Sequence, residues 1–351
     1  MPNTAGKEPT VVDVARAAGV SKAQAARALG GYGAVSDHVM EAVMEAAQTL
    51  GYRPNELAKS MNTGSTRAVG VVVGDIENPH FGVAVRGITD VLRASGYAVL
   101  LANSDEDPVK EKEAVSQFLQ QRVAGLIVAQ ARADSYEHLA AVQEARRALV
   151  FFDRECPHLD APSVVVDFHG VSEDIGNLLL EAGHRTIGYV SSLDLGQPYR
   201  EGLELNSSAV SQRIEGIAKA HRAHGLSWDD SLVQLGATTA GRIEAAVGRL
   251  LDGPRKATAI VCSDNLLGQA VLFELRSRGL SVPRDVSLVV YDDFPWTQLV
   301  DPPLTVVAQP VYEMGQEAAR QLLGQLNGST AAQAKHLEAR LVPRSSVGVP
   351  A

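Results

Sequence analysis

Over the first fifty residues, apolar positions recur at helical spacing in three short bursts. Thr10 is placed to cap a helix, with Asp13 three residues on as its reciprocal partner, and Val11, Val14, Ala15 and Ala18 then share one face. Gly19 ends that helix, and Ser21 caps a second over residues 22–29. The A-G-V-S turn between them is so short that the two helices must cross steeply. That is the helix-turn-helix geometry, in which the second helix enters the major groove of DNA. Gly30, Gly31 and Gly33 follow, but no strand precedes them, so they are not a dinucleotide-binding loop. Ser36 caps a third helix carrying Val39, Val43, Ala46, Ala47 and Leu50, and Gly51 stops it. Pro54-Asn55 then suits the start of a further short helix to Met61, and residues 62–66 read as a joint.

From Ala68 onward the pattern changes to short, near-continuous apolar runs separated by helical stretches. Strands are expected at 69–73, 98–101, 125–128 and 149–152, with helices near 81–95, 110–121 and 135–145. The pattern then restarts, with strands at 164–166, 187–190, 232–234, 259–261 and 286–291 and helices near 171–182, 207–224, 240–251 and 266–278. Such strands indicate parallel sheets covered on both faces. Two α/β units in series, without a phosphate-binding loop, imply two lobes with a cleft between them. Open sheets of this kind bind ligands beyond the carboxyl ends of their strands.

The chain has 351 residues, 45% of them hydrophobic and 21% charged. No apolar run is long enough for a membrane helix, and the N-terminus MPNTAGKEPT lacks the apolar core of a signal peptide, so a cytoplasmic location is expected. Cys156 and Cys262 form neither a CxxC pair nor a metal-ligand spacing, and no metal or cofactor is called for. The net charge of −9 argues against a generic nucleic-acid binder. In residues 1–65, Lys7, Arg16, Lys22, Arg27, Arg53 and Lys59 balance Glu8, Asp13, Asp37, Glu41, Glu45 and Glu56. Charge alone does not reveal DNA binding here.

The motifs do. T-V-V-D-V-A-R-A-A-G-V-S (10–21), L-G-Y-R-P-N-E-L-A-K-S-M (50–61), P-R-D-V-S-L-V-V-Y-D-D (283–293) and D-P-P-L-T-V-V-A-Q-P (301–310) occur in the order seen in the lactose/galactose repressor family. The chain resembles that family over about residues 10–348. The resemblance implies an all-α helix-turn-helix headpiece joined to an α/β two-lobed, periplasmic-binding-protein-like domain of two doubly wound parallel sheets. It places the headpiece at 1–54, a hinge helix and linker at 55–66, and the effector-binding and dimerisation domain at 67–351. The first lobe would take 67–161 and 309–325, the second 162–308 and 326–351, with crossings near 153–162, 304–310 and 326–338. The implied partners are a pseudo-palindromic double-stranded operator, a small-molecule effector and a second copy of the chain.

DNA contacts fall by resemblance on Thr10, Ser21, Lys22, Ala23, Gln24 and Arg27 in the headpiece, and on Tyr52, Asn55, Leu57, Ala58, Lys59 and Met61 at the hinge. Met61 stands where the family usually has a leucine wedge that kinks the duplex from the minor groove. Gln24 replaces a phosphate-contacting threonine. It suits either an adenine edge or a phosphate oxygen. Val39-Met40 replaces the usual threonine-arginine of the third helix.

Effector contacts fall by resemblance on His80 and Phe81, Asp153, Arg213, Ser263, Asp264 and Asp292. A carboxylate–arginine pair beside an aromatic face is the usual chemistry of sugar binding. Phe81 also suits plain core, and Asp153 and Asp292 suit caps. No aromatic residue appears in Gly236-Ala237-Thr238-Thr239, where purine- and lactose-type members carry one, which favours a sugar, polyol or acid over a flat purine. A free solute-binding protein would have no use for residues 10–61. An enzyme is disfavoured because GxSxG, P-loop, HExxH and strand-borne GxGxxG motifs are all absent.

With Val39-Met40 in place of the usual threonine-arginine, affinity for operator DNA is expected to fall only gently with salt, each phosphate contact contributing a slope of about −0.9. A steep fall in an operator-binding titration would contradict this.

Overall fold

In the computed structural model the residues described are 9–30, 33–52, 66–329 and 334–350. They divide into two units between Thr66 and Arg67. The first holds α1 (Val11–Ala17), α2 (Lys22–Gly30) and α3 (Asp37–Leu50). The Thr10 N–H and hydroxyl both donate to the Asp13 carboxylate, at 2.9 and 2.7 Å, so the expected cap is present. Gly51 ends α3 in the left-handed region at φ 62°. The core is Val14, Ala15, Ala25, Ala28, Val43, Ala46 and Ala47. Small side chains let three short helices approach closely. Val39, Met40 and Tyr52 pack partly against this core.

The second unit holds two six-stranded sheets with the same order of strands. In the first, β2 (Ala98–Asn103), β1 (Ala68–Val73), β3 (Gly125–Val128), β4 (Ala148–Phe152) and β5 (Ser163–Asp167) run parallel, and β11 (Lys335–Glu338) closes the far edge. In the second, β7 (Val233–Gln234), β6 (Ile187–Val190), β8 (Ala259–Cys262), β9 (Ser287–Tyr291) and β10 (Thr305–Ala308) are parallel, and β12 (Arg340–Val342) pairs antiparallel with β10. Strands β3, β6, β8 and β9 are buried along their whole length, which is why they read as unbroken apolar runs. Cys156 and Cys262 are free and buried.

Two lobe assignments change. Residues 164–166 were expected to open the second lobe, but β5 pairs with β4 in the first sheet. The first crossing therefore follows Asp167 instead of lying within 153–162. Residues 326–351, expected to lie wholly in the second lobe, are split. Lys335–Glu338 pairs with β5 in the first sheet, and only Arg340–Val342 joins the second, so the chain crosses at Ala339. The crossing between β10 and the following helix lies where expected, at Gln309-Pro310.

The helices covering the sheets are α4 (Pro79–Ala94), α5 (Pro108–Gln120), α6 (Glu137–Glu144), α7 (His169–Glu181), α8 (Ser208–Ala223), α9 (Ala240–Asp252), α10 (Asn265–Ser277), α11 (Trp296–Leu299) and α12 (Val311–Leu326). In the first lobe α4 lies backbone-to-backbone on α12. A Cβ on Gly87 would collide with the Tyr312 carbonyl oxygen, and one on Gly315 with that of Ala84. In the second, α7 and α8 meet the same way through Gly176 and Gly216, which oppose Ala220 and Ser172.

Because backbone atoms cannot yield as a side chain can, Gly315→Ala is expected to cost roughly 1–3 kcal/mol of overpacking. Calorimetry should show Tm of the 67–351 unit lowered by several degrees. An unchanged Tm would mean that the α4–α12 contact is loose.

Candidate operator interface and effector cleft

In the headpiece, Ser21 and Gln24 form a reciprocal cap at the start of α2. The Ser21 N–H and hydroxyl donate to the Gln24 amide oxygen at 3.0 and 2.9 Å, and the Gln24 N–H donates to the Ser21 hydroxyl at 3.2 Å. This is the Ser-x-x-Gln capping box. It leaves only the amide NH2 of Gln24 to donate outward. An adenine edge needs both amide atoms of one side chain, so this conformation suits a phosphate oxygen. Lys22 and Ala23 are exposed beside the cap. Arg27 is half-buried, with its stem close against Gly33. Thr10 is exposed with its hydroxyl held by Asp13, and Tyr52 is half-buried with its N–H on the Ala47 carbonyl at 2.8 Å. Asn55, Leu57, Ala58, Lys59 and Met61 lie outside the described residues.

In the second unit, the carboxyl ends of both sheets face each other. Asn78 caps α4 by accepting the His80 N–H at 3.1 Å, which fixes His80 in the first turn. The His80 ring then bridges the lobes. Its Nε2 is 3.0 Å from Asp153 Oδ1 at the end of β4, and its Nδ1 is 3.6 Å from Asp292 Oδ1 at the end of β9. Both aspartates hold the left-handed backbone, at φ 67° and 81°, a costly conformation for a residue with a side chain. Each N–H is tied to the neighbouring strand, Asp153 to the Val164 carbonyl at 3.0 Å and Asp292 to that of Val307 at 2.9 Å. Gln309 donates to Asp292 at 2.6 Å. A second bridge joins Asn265 at the start of α10 to Asn78, at 2.8 Å.

Arg213 on α8 is buried between two rings, with its guanidinium carbon 4.0 Å from the Phe168 centroid and 4.3 Å from that of Tyr291. Nη1 donates to the Ser263 carbonyl at 2.8 Å, and Nε is buried without a partner. Asp264 caps α10, accepting from the Leu267 N–H at 2.9 Å and the Ser263 hydroxyl at 3.0 Å. Burial pushes its carboxyl above the usual carboxylate range. Phe81 packs edge-on against Phe152 in the core, 4% exposed, so it offers no open ring face.

Of the expected cleft residues, the structure thus brings together His80, Asp153 and Asp292, and places Arg213 with Ser263. Asn78, Asn265, Gln309 and the Phe168–Tyr291 sandwich were not anticipated. Asn78 before Pro79 carried a readable helix-start signal. The others depend on pairings across the lobes that no local pattern encodes.

Burial by itself would push the His80 imidazole down, but the Asp153 and Asp292 carboxylates outweigh it and hold the imidazolium up to about 10. Burial would likewise raise Asp153, and the His80 charge overrides this to bring it down to about 2. A charged bridge therefore joins the two lobes at neutral pH: His80 is hydrogen-bonded to Asp153 in its own lobe and ion-paired with Asp292 of the other.

Residues 10–55 match the bacterial regulatory proteins of the lacI family, and residues 177–347 match the periplasmic binding protein-like domain. The chain is 30% identical over 321 residues to the HTH-type transcriptional repressor CytR of Escherichia coli K12, covering 91% of this chain and 90% of that one. Among solved structures, the complex of the transcriptional regulator CelR with cellobiose is 29% identical, covers 96% of this chain and 99% of its own, and superposes with a TM-score of 0.69. A LacI family transcriptional regulator from Enterococcus faecium with bound ribose is 26% identical, covers 80% and 99%, and gives 0.68.

The pH dependence of stability has two limbs. The His80 contribution is fully present below its unfolded value of 6.5 and is lost as pH rises through about 10. The Asp153 contribution is present above 3.8 and is lost as pH falls through about 2. Tm of the wild type should therefore fall between neutral pH and about 10 by more than that of His80→Gln, whose curve lacks this limb. Parallel curves would show that His80 is not a charged bridge.

Proposed function

The chain belongs to the lacI family of bacterial regulatory proteins and is a DNA-binding transcriptional repressor with an effector-binding domain, not an enzyme; on that premise we propose that its effector is a sugar or sugar derivative bound between the two lobes. The observation that carries this reading is the facing of Asp153 and Asp292, one from each sheet edge, beside the buried Arg213. Carboxylates accept from ligand hydroxyls, and a guanidinium donates to ring and hydroxyl oxygens. The relatives solved with cellobiose and with ribose support a sugar class.

Ligand entry exchanges the His80 bridge for ligand hydroxyls and so changes the closure of the lobes. That closure would set the spacing of two hinge segments in a homodimer, and with it the grip on a pseudo-palindromic operator. Lys22, Ala23 and Arg27 are the proposed base-reading set, Gln24 a phosphate contact, and Met61 the minor-groove wedge. The coupling must be reciprocal, so operator DNA alters effector affinity by the same factor.

A thermal-shift screen with cellobiose, ribose and other sugars, followed by gel shifts on the promoter, tests this. A specific sugar at a hundred times its Kd stabilises by about 2.7 kcal/mol and shifts operator binding. Arg213→Ala should lose the sugar response while keeping operator binding without sugar. If no sugar moves either Tm or the gel shift, the sugar reading fails. If no specific DNA complex forms at all, the operator assignment fails with it.

A further inference from the structure

The His80 bridge is assembled from both lobes, and its parts divide unequally when the lobes separate. His80 and Asp153 belong to the first lobe, at the start of α4 and the end of β4, and move together with their 3.0 Å hydrogen bond intact. Asp292 belongs to the second lobe, at the end of β9. So does Asn265, which reaches Asn78, the cap of the His80 turn, at 2.8 Å. Separation therefore removes one of the two carboxylates, leaves the other and lets water in.

The geometry fixes the charge of the closed bridge. Each ring nitrogen of His80 faces its own carboxylate, Nε2 toward Asp153 and Nδ1 toward Asp292 at 3.6 Å. A neutral imidazole carries a single N–H, so it would turn a lone pair toward one of them. Only the imidazolium offers a proton to both. His80 and Asp292 are 5% and 3% exposed, so water screens little of the attraction. The surrounding charges do not reverse it. Arg154 lies 3.5 Å from the other oxygen of Asp153, but Glu106 accepts from its far end at 2.8 Å. Arg213 on α8 acts on Asp153 from further off, with its guanidinium stacked between Phe168 and Tyr291. At the start of α10, Asp264 is pushed above the usual carboxylate range by burial, with the Asp292 charge adding to it. Gln309, at the crossing after β10, is neutral and donates to Asp292.

We propose that closing the lobes takes up a proton on His80, so that pH gates the cleft: acid holds it shut and alkali releases it. Burial alone would lower the imidazole, and the two carboxylates together hold it up to about 10 in the closed form. In the open form His80 keeps Asp153, loses Asp292 and meets water, so its value lies lower. The advantage of the closed form is complete below the open-form value and is lost as pH rises through about 10. Between the two values the opening equilibrium grows by up to about tenfold per pH unit. The proton-linked latch does not depend on what the cleft binds; its consequence for a sugar rests on the proposed function. On that reading, a sugar that enters only the open cleft binds more tightly as pH rises.

Two measurements on the full-length protein without sugar test this. In NMR pH titrations of the histidine rings, the His80 signal is assigned by its disappearance in His80→Gln. That ring should stay doubly protonated well above neutral pH. Asp292→Asn should lower its midpoint by about one unit or more, a loss of proton affinity of roughly tenfold or greater. In small-angle scattering at constant ionic strength, the wild type should have a larger radius of gyration at about pH 9.5 than at about pH 6.5, and His80→Gln should be the same at both. A wild-type His80 that titrates near 6.5 overturns the proposal. So does a midpoint that Asp292→Asn leaves in place, which would make Asp153 alone responsible. A wild-type radius that ignores pH overturns it too, as does one that follows pH equally in His80→Gln, which would come from other groups. If Asp292→Asn does not fold, the scattering comparison decides alone. Both results as expected, with no sugar moving Tm or the gel shift, would sink the sugar reading and leave the latch standing.

Discussion

The two lobes are held by an imidazolium placed where a lone charge could not survive. His80 is almost wholly enclosed, and an unpaired buried cation would lose its proton. It keeps the proton because one carboxylate from each lobe meets it. Each of the three groups makes the burial of the other two tolerable, so the bridge exists whole or not at all. This constraint explains the backbone around it. Asp153 and Asp292 sit in left-handed conformations that would cost free energy anywhere else. There the strand end is turned so that each carboxylate meets the His80 ring. Asn78 caps α4, orients His80 and receives Asn265 from across the cleft. One residue thereby links helix start, bridge and opposite lobe.

The same logic constrains any ligand of the cleft. A sugar entering it must offer the carboxylates donors at least as good as an imidazolium, while the imidazolium must find another partner or water. A ligand with several hydroxyls in fixed directions does this at low entropy cost. A flat apolar ligand does not. The repeat of strand order in the two sheets brings equivalent strand ends, β4 and β9, to equivalent places. The paired aspartates follow from this internal repeat. The paired helix crossings at Gly87/Gly315 and Gly176/Gly216 add rigidity to each lobe. Rigid lobes confine motion to the connections between them, which is what a hinge requires.

Much of this was legible in the sequence because it is local. The Thr10–Asp13 cap, the Gly51 stop, the buried strands and the aspartates at strand ends all follow from short-range pattern. Lobe membership was not local. Val164, Val165 and Val166 are equally suited to the edge of either sheet, and periodicity does not say which strand lies alongside. Lys335–Glu338 is mostly exposed and reads as neither buried strand nor helix. Its pairing with β5 is decided by where the chain returns, not by its own side chains. The Phe168–Arg213–Tyr291 stack joins residues from three separate stretches of chain, so spacing could not reveal it.

The headpiece shows how a neutral sequence can still make a good reading head. Its second helix is K-A-Q-A-A-R-A-L-G, rich in the residue with the highest helix propensity. Ala25 and Ala28 face the core, and the Ser21–Gln24 box closes the exposed N-terminus. A helix so fixed before contact loses little conformational freedom on docking, and that entropy is a main opponent of binding. Bulk positive charge achieves affinity by a different route, through counterion release, and gains it on any sequence. Preorganisation rewards only a surface that fits. On the proposed reading, then, the alanines and the glutamine cap are not losses from a more basic ancestor-like pattern; they move the source of affinity from charge to shape, which leaves Lys22, Ala23 and Arg27 to discriminate among sequences.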